Sequence, residues 1–367
     1  MTSVQTVLIV GAGNSGLTLG ALLARGGVRV EIVERKAEVI DLGSGITLQG
    51  PAKRVLQEVG VLDELLRHGY EFTGLTLRSV DGRALAELPS PPTLGAYRPK
   101  LTELLLAAAT QAGASIRLGT SVSSLAQDAA GVDVTFSDSS TVRYDLVVGA
   151  DGVRSTTRRQ IGISAEPKPT GLGAFRAVTR RPADVTTSEL CYDGPCYIAG
   201  CTPTGPDSIY AFLVESAQDR SADSPEQTVA AMRELAQAYQ GPWVQIREDI
   251  TDAARINYTW FEYLLVDGPW NRGRIVLIGD AAHTCPPTIA LGVAMALEDA
   301  SVLAEMLLSR EQLDQNLFDD FAARRMPRVR AVVEGSMQMV TWQLEGSADA
   351  DVAGLQRRVY GALAGPA

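Results

Sequence analysis

Metal chemistry has little to work with in this chain. Among 367 residues there are only two histidines and four cysteines. The cysteines (Cys191, Cys196, Cys201, Cys285) form no C-x-x-C pair of the kind that holds zinc, so no metal site is expected and the thiols should pack as small apolar residues. A surplus of basic charge is missing as well. Thirty-three Lys and Arg stand against 43 Asp and Glu, a net charge of −10, and phosphate backbones want a basic face, so a nucleic-acid partner is not expected. No uncharged run reaches the roughly 18 apolar residues of a membrane span, and no basic-then-apolar leader opens the chain. The expectation is a cytoplasmic protein with free thiols. No internal repeat or low-complexity stretch is present.

What the chain does have is an ordered opening. Thr6 to Val10 reads as a buried strand, Gly11-Ala-Gly13-Asn-Ser15-Gly16 as a glycine turn and Leu17 to Arg25 as a helix. Val28 to Val33 is a second buried strand with Glu34 at its tip. Each glycine has a mechanical reason: Gly11 permits the tight turn, Gly13 puts no side chain in the way of a pyrophosphate, and Gly16 lets the helix close on the strand. The helix then aims its first N–H groups at the phosphates. Glu34 follows at close to the ~20-residue spacing of an acid that accepts from ribose hydroxyls. Together these parts read as a dinucleotide-binding βαβ unit.

Further along, the pattern turns antiparallel. Leu75 to Ser79 alternates, Asp81-Gly82 makes a hairpin turn and Ala84 to Leu88 returns. Arg98-Pro99 opens an apolar helix to Ala112. Val122–Leu125, Val132–Phe136 and Thr141–Val148 read as strands, the last running into Gly149-Ala150-Asp151-Gly152. Phe175–Val178, Glu189–Tyr192, Tyr197–Cys201, Ile209–Val214 and Tyr258–Val266 read as an antiparallel sheet, with a helix at Pro225–Tyr239. Arg274–Ile278 is a last buried strand that ends in Gly279-Asp280. Ligands of open α/β sheets collect at such strand tips.

Three strand-tip motifs thus stand together, and their combination resembles the FAD-dependent aromatic hydroxylases of the para-hydroxybenzoate hydroxylase class. The salicylate hydroxylase-like and 6-hydroxynicotinate monooxygenase-like branch is the nearest match. Gly43-Ser-Gly45-Ile46 resembles that family's glycine loop beside the flavin, and Arg98-Pro-Lys-Leu101 its R-x-x-L at a helix start. Gly279-Asp-Ala-Ala-His283 through Glu298-Asp299 resembles its long fingerprint, and Phe321 to Val329 its C-terminal helix. The chain departs from the family at Ala290-Leu291-Gly292, where Gly-Gln-Gly is frequent, and at Gly50-Pro51, where Pro-Asn is frequent.

The resemblance implies an α/β fold: a Rossmann-like FAD-binding domain with an inserted antiparallel-sheet substrate domain and C-terminal helices. The expected pieces are 1–71, 101–168 and 270–310 for FAD, 72–100 and 169–269 for substrate, and 311–367 as a helical segment. It implies non-covalent FAD held by Gly11, Gly13, Ser15, Gly16, Glu34, Arg35, Gly45, Arg98, Asp151, Asp280, Gly292 and Val293. Asp151 would hold Arg98 or a nicotinamide partner. It further implies NAD(P)H as a transient co-substrate, and O2 carried to a small aromatic or heteroaromatic ring through a hydroperoxide at flavin C4a.

Of the two histidines, His68 reads as solvated and His283 as structural, so the groups nearest the chemistry are expected to be Tyr210 and Pro287. Gln49, Phe175, Arg176, Tyr192 and Phe212 are the expected pocket lining. A monomer or homodimer is expected. Two alternatives stay open: a reductase or dehydrogenase of the same fold without oxygen insertion, and a non-catalytic flavin-binding ligand sensor.

Overall fold

The computed structural model describes residues 2–39, 45–347 and 349–367. Its organising element is a six-stranded sheet whose parallel core runs Ile275–Leu277, Leu146–Gly149, Thr6–Val10, Arg29–Val33, Ser115–Arg117, with the short Asn271–Arg272 strand antiparallel at one edge. Alternate residues of Thr6–Val10 enter two different cores. Val7 and Ile9 join a large cluster under the helices, while Leu8 and Val10 join Val132, Val134 and Phe136 on the other side. A parallel sheet must be covered on both faces. Here the second cover is a small antiparallel sheet, Val122–Gln127, Val132–Phe136 and Thr141–Tyr144.

The expected single strand at Thr141–Val148 is two strands in different sheets. Asp145 makes the break: its carboxylate accepts from the N–H groups of Gln5 and Thr6 at 2.8 Å each. One run of alternating residues therefore changes partner at its middle.

Eight strands build the second large sheet, in the order His283–Thr284, Ile256–Leu265, Lys168–Arg180, Ser208–Ser216, Ile198–Pro203, Ser188–Cys191, Leu75–Arg78, Ala84–Leu88. The hairpin expected at Leu75 to Leu88 sits at its far edge, with Gly82 at φ +85° in the turn. Cα pairs such as Phe212 with Arg176 and Tyr210 with Val178 fix which side chains are neighbours. One face is closed by helices Pro225–Ala236 and Pro242–Asp249, which bury Ile209, Ala211 and Leu213 completely. At one end the other face is covered by Val340 of the long helix Gln315–Glu345, against Ala174, Ile198, Val214 and Phe261.

A third, three-stranded sheet joins the two halves: Gly45–Leu48 pairs with Thr93–Tyr97, which pairs with Tyr70–Phe72. The Gln315–Glu345 helix also spans both, since Val329, Val332 and Val333 belong to the large core of the parallel half. Among the described residues no helix is long and apolar enough to cross a membrane.

Candidate active site

The strand-tip motifs converge. Gly11 has φ +111°, and a Cβ there would stand 2.4 Å from the carbonyl oxygen of Ala150. The first glycine turn is thus in backbone contact with the second motif. A Cβ on Gly16 would meet the Gly11 carbonyl at 2.1 Å, so helix Asn14–Arg25 rests directly on that turn. Gly279 has φ +57° and faces Ser15, which ties in the third motif. At Gly13, by contrast, a Cβ would meet nothing within 4 Å: the backbone there looks onto open space at a helix N-terminus, where anions are favoured.

Glu34 stands at the tip of Arg29–Val33 and accepts from the N–H groups of Ala12 (3.1 Å) and Lys36 (3.0 Å). Each oxygen keeps a lone pair for another donor. Arg35 beside it is exposed. Asp280 lies in the turn Gly279–Ala281 that follows strand Ile275–Leu277. Its side chain reaches solvent, yet the surrounding protein pushes its carboxyl above the ordinary value, with His283 and Arg98 pulling the other way. It accepts no hydrogen bond from the described residues, so its oxygens are available to a ligand.

The turn that carries Asp280 is held from behind. Asp299, fully buried, accepts from the N–H of Gly279 (2.8 Å), from His283 Nε2 (2.6 Å) and from Arg325 Nε (2.8 Å). Burial pushes the Asp299 carboxyl up, but His283 and Arg325 outweigh it and hold it below the usual value. Arg325 and Arg328 both pair with buried Glu298.

Arg158 makes a second brace, donating to the carbonyls of Ala281 and Val153 at 3.0 Å and of Ala165 at 2.9 Å. The sequence reading missed Arg158, and Arg325 was legible only as one of several arginines on a helix. Their signal, a cation at a position that packing must bury, exists only once the helices are in place.

Several expected residues land elsewhere. Asp151 is engaged within its own loop. Its carboxylate is taken by Ser155 Oγ and by the N–H and hydroxyl groups of Thr156 and Thr157, capping the helix Thr156–Gln160. Phe175 is a pocket expectation that fails for a geometric reason. It neighbours Arg176 on a strand, so the two point to opposite faces. Phe175 is fully buried against Tyr258 on the helix-covered side. Tyr192 follows the end of Ser188–Cys191 and is 48% exposed. Gln49 precedes helix Gly50–Val59 and turns its amide to Tyr360 of the C-terminal helix, while its Oε1 is buried without a partner. Gly43 and Ser44 lie outside the described residues.

On the half-open face of the eight-stranded sheet stand Tyr210, Phe212 and Arg176. The Tyr210 and Phe212 rings lie 5.2 Å apart, and Gly200 leaves room for Phe212, whose ring would meet a Cβ there at 2.3 Å. Arg176 Nε donates to the Tyr210 hydroxyl at 3.0 Å, its Nη1 donates to Thr259 Oγ1, and its guanidinium lies 5.4 Å from the Phe261 ring centre. A Cβ on Gly45 would stand 2.3 Å from the Tyr210 Cβ, so this face meets the joining three-stranded sheet at Gly45. Pro287 is exposed in the loop that follows His283–Thr284, and Gly292 and Val293 begin helix Gly292–Ser309 half-buried. Thr259 and Phe261 were not foreseen, because their facing depends on register.

The open backbone at Gly13, the ribose-spaced Glu34 and the unengaged Asp280 fit a flavin dinucleotide, and the fold and cleft define a flavoprotein. Residues 4–336 match the FAD binding domain family, and the chain belongs to it. It is an FAD-dependent monooxygenase of the para-hydroxybenzoate hydroxylase fold. It is 32% identical over 312 residues to 2-heptyl-3-hydroxy-4(1H)-quinolone synthase of Pseudomonas aeruginosa, covering 82% of this chain and 80% of that one. It is 31% identical over 352 residues to 6-hydroxynicotinate 3-monooxygenase of Bordetella bronchiseptica, covering 89% and 90%. Among solved structures, Klebsiella pneumoniae HpxO complexed with FAD and uric acid superposes with a TM-score of 0.84 at 20% identity, covering 99% of this chain and 97% of that one.

Proposed function

We propose that the protein hydroxylates a small aromatic or heteroaromatic compound at the face of Tyr210 and Phe212, using NAD(P)H and O2, as a cytoplasmic monomer or homodimer. The observation that carries this is the contact between Gly45 and Tyr210, where the open face of the antiparallel sheet meets the three-stranded sheet that joins it to the half that fits FAD. When bound, FAD supplies the redox chemistry and the activated oxygen.

The chain's own part is placement. Gly11, Gly13, Ser15 and Gly16 receive the pyrophosphate, Glu34 the ribose, and Arg35 the adenosine end. Asp280 and Arg98 meet the remaining polar groups of the cofactor. The first turn of helix Gly292–Ser309, with Gly292 and Val293, offers its positive end to the negative charge that grows on the reduced ring. Tyr210 and Phe212, neighbours on one sheet face, line and orient the substrate, and Pro287 borders it. The support is that Tyr210 and Gly45 are in contact and that named relatives act on ring compounds.

The test is turnover under 18O2 with NADH or NADPH and a set of aromatic acids, phenols and quinolones. The expected result is substrate-stimulated cofactor oxidation and one 18O atom in the product. Reduction or dehydrogenation without label would move the protein to the non-oxygenating alternative. Bound FAD with no NAD(P)H oxidation under any compound would make it a binder.

A further inference from the structure

We infer that Gln343 reads the substrate, and that the substrate ring carries an N–H beside a C=O, the edge of a lactam. This deepens, and rests on, the reading of the Tyr210–Phe212 face as the substrate site. Gln343 lies near the end of the long helix Gln315–Glu345. Ser336, Val340 and Gln343 follow one another at spacings of four and three, so they share one face of that helix. Ser336 and Val340 are buried. Val340 presses on the substrate sheet, against Ala174, Ile198, Val214 and Phe261, and half-buried Phe212 packs on the same cluster. Leu344, the next residue, is 43% exposed. The helix therefore stops covering the sheet within a residue of Gln343.

The Gln343 side chain is unusual for a protein interior. Its Nε2 and Oε1 are both buried, and neither has a hydrogen-bond partner among the described residues. At Thr18 and Gln49 a single oxygen is orphaned; here a donor and an acceptor are unmet on one group. Buried polar groups are nearly always paired, and an amide left without a partner costs stability. An amide kept at that cost, on the rim of the substrate face, points to a partner that arrives with the substrate.

A primary amide presents an N–H and a C=O side by side. Its complement is the same pair reversed, as in a cyclic amide, which closes two hydrogen bonds in one plane. A carboxylate offers acceptors only and leaves the Gln343 carbonyl unmet. A phenol has one hydroxyl and meets one end. The rings of Tyr210 and Phe212, 5.2 Å apart, suit the flat body of an aromatic lactam.

The experiment uses FAD-loaded protein and follows flavin absorbance on titration. The probes are 2-pyridone and 2-quinolone, the N-methyl derivative of each, and phenol. Wild type is expected to bind at least one lactam saturably and its N-methyl derivative about tenfold or more weakly. Gln343→Met keeps the chain length and removes the amide. It is expected to lose about 10- to 100-fold in lactam affinity, the scale of two neutral hydrogen bonds, while its N-methyl lactam affinity and FAD content hold. Its melting temperature without ligand should equal or exceed that of wild type, because no protein partner is lost. An amide with a purely structural role would move that readout the other way.

The proposal is overturned by N-methyl derivatives that match their lactams in wild type, or by phenol binding with no saturable response to either lactam. It is overturned equally by a Q343M protein that melts below wild type or that loses all probes alike. A wild type that binds FAD but none of the five ring compounds is a different result: it overturns the reading of the Tyr210–Phe212 face, and this inference with it.

Discussion

Two regions of this molecule encode function in different ways. In the parallel half, the residues around the cleft are dictated by backbone. Gly11 and Gly279 sit at positive φ and, like Gly16, face atoms that leave no room for a Cβ. In the eight-stranded sheet the backbone is ordinary, and function follows from which face a side chain takes. Tyr210 and Phe212 take the half-open face while Ile209, Ala211 and Leu213 are buried under helices. A backbone requirement restricts the residue type at one position and therefore shows in the sequence. A facing requirement restricts only a parity, and parity needs register.

The sharpest break of this comparison should come from the brace behind the parallel half. Arg325→Met would leave Asp299 and Glu298 buried without their main cation, and breaking a buried pair costs about 3–5 kcal/mol. Thermal unfolding should show a large loss, and FAD retention should fall with it, because Asp299 holds the Gly279 N–H. The loss carries a pH signature. Asp299 lies below its ordinary value of 3.8 in the folded state, so its stabilisation is present above that value and fades as pH falls through and below it. The gap between wild type and variant should narrow in acid; a gap that widens there would mean Asp299 is not the group affected.

Within the cleft, Asp280→Ala should weaken FAD binding by about 10- to 100-fold, the worth of a charge-assisted hydrogen bond, with little change in melting temperature of the FAD-free protein. Equilibrium titration with FAD measures it. Unchanged affinity in a folded variant would remove Asp280 from the cofactor site.

The same contrast explains what the sequence made legible. The βαβ opening, the strand tips at Gly149 and Gly279, and the hairpin around Gly82 were readable because each rests on a glycine or a strand-end acid that local geometry demands. Asp151 was half legible, because a carboxylate just before Ser-Thr-Thr can serve a ligand or cap a helix, and its hold on Thr156 and Thr157 shows only in the three-dimensional path. Phe175 misled because it was read beside Arg176 without applying the strand's alternation. Thr259 and the Arg325 brace were beyond reach, since each is defined by partners at least 26 residues away in the chain.

On the substrate sheet, Tyr210→Phe tests whether facing alone carries function. The variant keeps the ring beside Phe212 and removes only the oxygen that accepts from Arg176 Nε. A neutral hydrogen bond is worth about 0.5–1.5 kcal/mol, so KM for the true substrate should rise about two- to tenfold, and more NAD(P)H should be diverted to hydrogen peroxide. FAD content should stay at the wild-type level. Wild-type KM and coupling would make Tyr210 a packing residue.

The smallest effect tests the backbone rule at the place where this chain breaks it. Ala290 has φ +57°, in a turn closed by its N–H on the Pro287 carbonyl at 3.2 Å, just ahead of helix Gly292–Ser309. A left-handed alanine costs about 1–2 kcal/mol, and the resembled family often has glycine at this position. Ala290→Gly relieves that strain but loosens the unfolded chain by about 0.4–1 kcal/mol, so a net gain of about 0.5–1 kcal/mol should appear as a higher urea midpoint with an unchanged slope. Strain of this kind persists where surrounding structure imposes it, and it clusters at active sites. If Ala290 holds Pro287 and the helix start in a set relation, the stabilised variant should also turn over more slowly or couple less well. A lower midpoint would show that the turn tolerates alanine without strain, and that the parallel half's dependence on backbone ends before residue 290.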